Sequence, residues 1–179
     1  MHLEGVRTAE EWAPVAERRR TLSALYEEHV GRAIALARLL IGDDHLAEDV
    51  AQEAFIRTAG RFAHLRQPEA FGAYLRRTVV NLCRTRFRRA RLERDWLRRQ
   101  DRREPASRPA FDPDERVIIW KAIEALPWRQ RAAIVLRYYE DLPQAEIAGL
   151  LRCSVGATES LLSRAMTALR AKFDEEDPR

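Results

Sequence analysis

Leu142 to Arg170 constrains the fold more than any other stretch of the chain. It opens LPQAEIAGLL, which places Ile147, Leu150 and Leu151 on one face of a short helix. Arg152-Cys153-Ser154 interrupts that helix with polar residues, and Ser154 has the side chain of an N-cap. VGATESLLSRAMTALR then resumes helical spacing, with Val155, Thr158, Leu162, Ala165, Met166 and Leu169 on the stripe to be buried. Ala157, Ser160 and Arg164 fall on the opposite face, with Glu159 toward its flank. A second helix that turns small and polar residues and one Arg outward suits the floor of a DNA major groove. The spacing alone fits an ordinary helical hairpin in a bundle core equally well.

The rest of the chain is also helical in pattern. Hydrophobic residues make up 46%, enough for packed cores, and only seven Gly and eight Pro punctuate 179 residues. No run of strand-like alternation is bounded by turn residues, so the expected class is all-α. The expected division is an N-terminal extension 1–21, a helical domain 22–90, a flexible linker 91–113, a second helical domain 114–173 and an acidic tail 174–179. The linker alternates Arg with Asp and Glu and then runs PASRPAFDP, which cannot continue a helix.

Within the first domain, Thr8 to Glu11 fits a capping box, so a helix is expected to start near Ala9. Leu22–Ile41 is amphipathic and closes at Gly42, after which Asp43 or Asp44 caps the next helix. That helix turns Ala47, Val50, Ala51, Ala54 and Thr58 inward and Glu48, Asp49, Gln52 and Glu53 outward. A further helix should start at Pro68 and fray near Gln100. It has Phe71, Leu75, Thr78, Val79 and Leu82 facing a core, and Arg77, Asn81, Arg84 and Arg88 on the other side. In the second domain, Ile119, Ala122, Ile123 and Leu126 form one stripe, Pro127 ends it, and Ala132, Val135, Leu136 and Tyr139 form the next. Asp141 is the expected cap of the helix that follows.

Charge is segregated. Residues 43–62 carry five acids against two Arg, a net of −3, whereas residues 63–104 carry thirteen Arg against five acids, a net of +8. Adjacent blocks of opposite sign suggest two surfaces with different partners, and nucleic acid is the usual partner of such Arg density. A solvated helix face is the plainer reading of each block. Arg77, Asn81, Arg84 and Arg88 can follow a phosphate backbone, with Asn81 able to bond bases or phosphates. Phe62, Phe71 and Tyr74 are the nearby aromatics that could stack on a base, and core packing suits Phe71 better.

Two motifs in order resemble the extracytoplasmic-function (ECF) sigma factors of the sigma-70 family. EIAGLLRCSVGATESLLSRAMTALR is similar to region four, matching at Glu146, Ile147, Ala148, Leu151, Gly156, Ser160, Leu162, Ser163, Arg164 and Ala165. LAEDVAQEAF is similar to the region-two signature, matching at Asp49, Gln52, Glu53 and Phe55. ALPWRQRAAIVLRYYEDLPQAEIA matches the family at Leu126, Pro127, Arg131, Leu136, Arg137, Glu140 and Leu142. The chain departs from the pattern at Ala157-Thr158-Glu159, where Thr-Val-Lys is common, at Leu161, where Arg is common, and at Arg152, where a turn Gly is common.

The resemblance implies a subunit of bacterial RNA polymerase that directs promoter recognition and transcription initiation. It implies docking of Asp49, Gln52, Glu53 and Phe55 on the clamp coiled coil of the largest polymerase subunit, and of region four on the flap. It assigns the melted −10 element to Arg77, Asn81, Arg84 and Arg88, and the −35 duplex to Arg152, Ser154, Gly156, Ala157, Ser160 and Arg164. Many members are held inactive by an anti-sigma protein, which the resemblance adds as a further partner.

No HExxH, GxSxG or glycine-rich phosphate loop occurs, so no enzyme, metal or cofactor is expected. Cys83 and Cys153 lack CxxC spacing and are expected as reduced thiols. No apolar run reaches membrane-spanning length and no signal-peptide core opens the chain, so the expected location is the cytoplasm, without membrane insertion. A stand-alone helix-turn-helix regulator would explain residues 142–170 but leaves the acidic and basic helices without a role. An enzyme acting on nucleic acid through the Arg-rich helix is the third reading.

Overall fold

The computed structural model describes the backbone of residues 9–62, 70–100 and 115–176, and side chains over 22–61, 70–93 and 119–173. Among the described residues there are seven α-helices and no strand: α1 (Ala9–Ile41), α2 (Asp44–Phe62), α3 (Phe71–Gln100), α4 (Glu115–Ala125), α5 (Trp128–Ile134), α6 (Gln144–Leu151) and α7 (Val155–Glu176). The side chain of Phe62, the start expected at Pro68, and most of the linker lie outside the described residues. α1 runs unbroken from Ala9 into the Leu22–Ile41 segment, and α3 continues to Gln100, where fraying is expected.

α1, α2 and α3 pack on one another as the first bundle. Gly42 closes α1 at φ +78°, and Asp43 caps α2 by accepting the Leu46 amide at 3.0 Å. Leu36, Leu40, Val50, Ala54, Phe71, Leu75, Val79 and Val80 fill the centre. Phe71 is fully buried, stacked on His29 and edge-on to Phe55, which settles its core role. Cys83 is buried too, and that burial pushes its thiol pKa up to about 12.

α4 to α7 form the second bundle, and a π-helical turn, Val135–Tyr139, extends α5. This turn corrects the expected phase. Its amide-to-carbonyl bonds span five residues, as in Glu140 N–H to Val135 O at 3.1 Å. The wider turn rotates Tyr139 out to solvent at 42% exposure and buries Glu140 in its stead. Two other stripe residues also differ. Ile119 is 49% exposed on α4, and Val155, the first residue of α7, is 48% exposed. Asp141 does not cap α6; it is exposed at φ 52°, and Pro143 occupies the N-cap position with no side-chain bond.

The two bundles meet. α1 packs against α4, α5 and the π turn, and α3 against α6. Arg131 joins them: its guanidinium donates to Leu40 O of α1 at 3.1 Å and to Glu124 O of α4. Both acceptors lie in helix C-terminal turns, where carbonyls lack intrahelical donors and a cation is favoured. Arg131 Nε is buried with no partner among the described residues, and burial pulls the pKa of this guanidinium down, partly offset by Glu124. A side chain at Gly42 would run into the Glu124 carboxylate, so that glycine permits the close approach of α4.

Candidate nucleic-acid and polymerase interfaces

The helix-turn-helix is built as its sequence suggests. Arg152 takes the left-handed conformation, φ 52° and ψ 58°, at the end of α6, where a glycine would be unstrained. Cys153 N–H reaches back to Ala148 O at 3.0 Å. Ser154 Oγ accepts the Ala157 amide at 3.1 Å, so Ser154 is the N-cap of α7. Thr158, fully buried, donates its hydroxyl to Ser154 O at 3.2 Å and fixes the turn from inside.

Arg152, Ser154, Gly156, Ala157, Glu159, Ser160 and Arg164 are all exposed. Gly156 has nothing within 4 Å of where a Cβ would sit, so the start of α7 is open to close approach. Ser160 donates to Gly156 O at 3.0 Å and keeps acceptor capacity outward. Ala157, Ser160 and Arg164 share one shallow depression of about 320 Å³ with Arg129 of α5. Arg129 was not singled out from sequence. It is not among the residues that carry the family resemblance, and only the packing of α5 on α7 brings it here.

On α2, Asp49 and Gln52 are exposed, but Glu53 is not free. Its two oxygens accept from Arg57 at 2.6 Å and Arg86 at 3.1 Å, so it ties α2 to α3. Phe55 is half-buried, edge-on to Tyr26 at 4.9 Å and to Phe71 at 5.5 Å. Ile56 is 70% exposed one turn beyond Gln52, on the same face as Asp49. Sequence reading passed over it because one apolar residue on a charged face carries no periodic signal.

The stripe on α3 divides among three concavities. Arg77 lines one with Tyr74, Arg76 and Glu146 of α6. Asn81 lines a second, of about 670 Å³, with Tyr74, Thr78, Thr85, Arg57 and Arg61. Arg84 and Arg88 line a third, which also receives Arg129 and Arg152 from the second bundle. Arg84 donates to Asn81 Oδ1 at 3.1 Å. Among the described residues no cluster of His, Cys, Asp and Glu could hold a metal ion, and no helix is long and apolar enough to cross a membrane.

An acidic helix, a basic helix and a helix-turn-helix, carried on two bundles, are the architecture of a DNA-binding protein. Residues 25–93 match Sigma-70 region 2 and residues 116–169 match Sigma-70, region 4. The chain is 32% identical over 141 residues to an RNA polymerase sigma-E factor of Streptomyces coelicolor, covering 79% of each. It is 34% identical over 156 residues to the ECF RNA polymerase sigma factor SigE of Mycolicibacterium smegmatis, covering 82% of this chain and 59% of that one. Its fold is similar to the sigma factor RpoE of Bartonella quintana, solved in complex with the anti-sigma factor NepR, with a TM-score of 0.67 at 20% identity over 85% of this chain and 96% of that chain. The chain belongs to the extracytoplasmic-function sigma factors of the sigma-70 family, and it acts in promoter recognition and transcription initiation.

Proposed function

We propose that the first bundle docks on the polymerase clamp coiled coil and holds the melted −10 strand, while the second reads the −35 duplex and rests on the flap. The observation that carries this reading is the separation of surfaces. Asp49, Gln52 and Ile56 form one exposed face of α2, whereas Asn81, Arg84 and Arg88 line clefts on α3. Phe55 supports the docking face from behind, through its ring contacts, and Glu53 supports it by holding α2 to α3. The cavity lined by Tyr74 and Asn81 has an aromatic wall and an amide, the groups that could receive a base drawn from the stack.

Ala157, Ser160 and Arg164 would meet the −35 groove, with Ser154, Gly156 and Arg152 against its phosphates. The chain works by binding, in the cytoplasm; the polymerase core holds the catalytic metals. The Bartonella quintana relative is bound by an anti-sigma factor, and a partner of that kind is proposed here as well.

Elements named for positions −10 and −35 are roughly 25 base pairs apart, on the order of 80 Å of duplex. Arg84 and Arg152 line one cleft in the closed structure. The bundles therefore have to separate before both elements are held at once. Run-off transcription with purified core polymerase on a promoter library tests the reading: core-dependent transcripts from a restricted promoter set are expected, and duplex binding without core-dependent initiation would refute it.

A further inference from the structure

The cleft between the bundles has a volume of about 930 Å³, within the range of small-molecule sites. Arg84 and Arg88 enter it from α3, Arg129 from α5 and Arg152 from the left-handed turn. Phe87, stacked on Trp128 at 5.7 Å, lines it with Leu151 and Leu161. None of these four arginines has a carboxylate partner among the described residues. Arg84 gives a hydrogen bond to Asn81 Oδ1 and Arg129 gives one to Leu151 O, which leaves most of their donors for a guest. Burial first, and then Arg152, Arg88 and Arg129, pull Arg84 below the usual arginine range.

We propose that this cleft binds a small, multiply charged phosphate compound that bridges the two bundles and holds them closed. Each guanidinium offers a planar fork that matches phosphate oxygens two at a time. Arg84, Arg88, Arg129 and Arg152, with Arg91 beside them, call for several anionic groups on one molecule, which a single carboxylate does not supply. The Phe87–Trp128 pair and the two leucines give the cleft an apolar wall against which a flat organic group of the same ligand can lie. Arginines come from both bundles, Arg84, Arg88 and Arg91 from the first and Arg129 and Arg152 from the second, so the site is complete only in the closed arrangement. On the proposed promoter reading, the ligand also competes with the −10 strand for Arg84 and Arg88; binding itself does not rest on that reading.

The probe is inorganic tripolyphosphate, titrated calorimetrically into the full chain without polymerase or DNA, against sodium chloride at matched ionic strength. Saturable binding with one site is expected, together with a smaller radius of gyration by X-ray scattering. Arg88→Gln with Arg129→Gln should weaken binding roughly tenfold or more, and the paired Lys variants, which keep the charge but lose the fork, should fall between it and the parent. Glu140→Gln lies outside the cleft but releases the pairing between bundles, and it should weaken binding as well. Heat that follows ionic strength alone, or an Arg88→Gln, Arg129→Gln variant that is folded by circular dichroism and binds like the parent, would overturn the proposal. Either result leaves the promoter reading intact, because neither polymerase nor promoter is present.

Discussion

Glu140 Oε2 lies 2.6 Å from Nε of Arg76, so a carboxylate of the second bundle is paired with a guanidinium of the first. Its other oxygen accepts from Arg32 at 3.2 Å, and the residue is only 4% exposed. A buried carboxylate is tolerable only with such partners. Hydrogen bonds to charged groups are worth about 1.5–3 kcal/mol each, and removing one partner of a buried pair leaves the other uncompensated. Glu140→Gln is therefore expected to raise the radius of gyration and increase the distance between fluorophores placed on the two bundles, with helicity retained. An unchanged distance would show that the closed arrangement does not hang on this pair.

On the proposed reading of α2, substitutions along this helix should separate core binding from stability. Asp49→Arg and Ile56→Ala should weaken binding to core polymerase while leaving the melting temperature in place. Truncating Ile56 where the partner buries it should cost roughly 1–2 kcal/mol of that binding. Glu53→Ala should instead lower the melting temperature, by a few degrees, since Glu53 joins α2 to Arg86 of α3. Core affinity unmoved by both Asp49→Arg and Ile56→Ala, measured by competition with a labelled sigma factor, would remove this face from the interface.

The basic stripe makes a salt-dependence prediction. Arg84→Ala with Arg88→Ala should flatten the slope of open-complex formation against salt, by about one unit for each phosphate no longer neutralised. An unaltered slope would mean that these side chains serve only the closed state.

On α7, Arg164→Ala should cost ~1–3 kcal/mol of −35 discrimination if its guanidinium reaches a base edge. Glu159 is exposed and stands where the family commonly has Lys. Glu159→Lys should strengthen binding to cognate and scrambled duplexes alike, because a flank carboxylate repels phosphate. Fluorescence anisotropy at fixed salt distinguishes the outcomes: reduced discrimination in the Lys variant would make Glu159 a base reader.

Arg152 carries a backbone cost that a glycine would not. Arg152→Gly should stabilise the second bundle by up to ~1 kcal/mol, read as a rise in the denaturation midpoint, through relief at φ 52°. The same change should weaken duplex binding if the Arg152 charge meets phosphate.

The helices and the turn between α6 and α7 were legible in the chain because their determinants are local. A Ser three residues before Ala157, a Gly after Ile41, and apolar residues three or four apart act within one or two turns, whatever lies elsewhere. Asp49, Gln52, Ala157, Ser160 and Arg164 were found exposed for the same reason. Glu53 was read as free, and only the folded bundle revealed Arg86 beside it, since that pairing spans 33 residues. Tyr139, expected inside, lies at the surface and Glu140 is buried because one π turn shifts the helical phase, and no periodic pattern announces such a turn. The partnership of Glu140 with Arg32 and Arg76 joins residues 108 and 64 positions apart. Such pairings depend on how two finished surfaces fit. Local propensity determines each helix and its outward face; the joining of two surfaces, and with it the gathering of Arg84, Arg88, Arg129 and Arg152 around one cleft, was decided by tertiary packing alone.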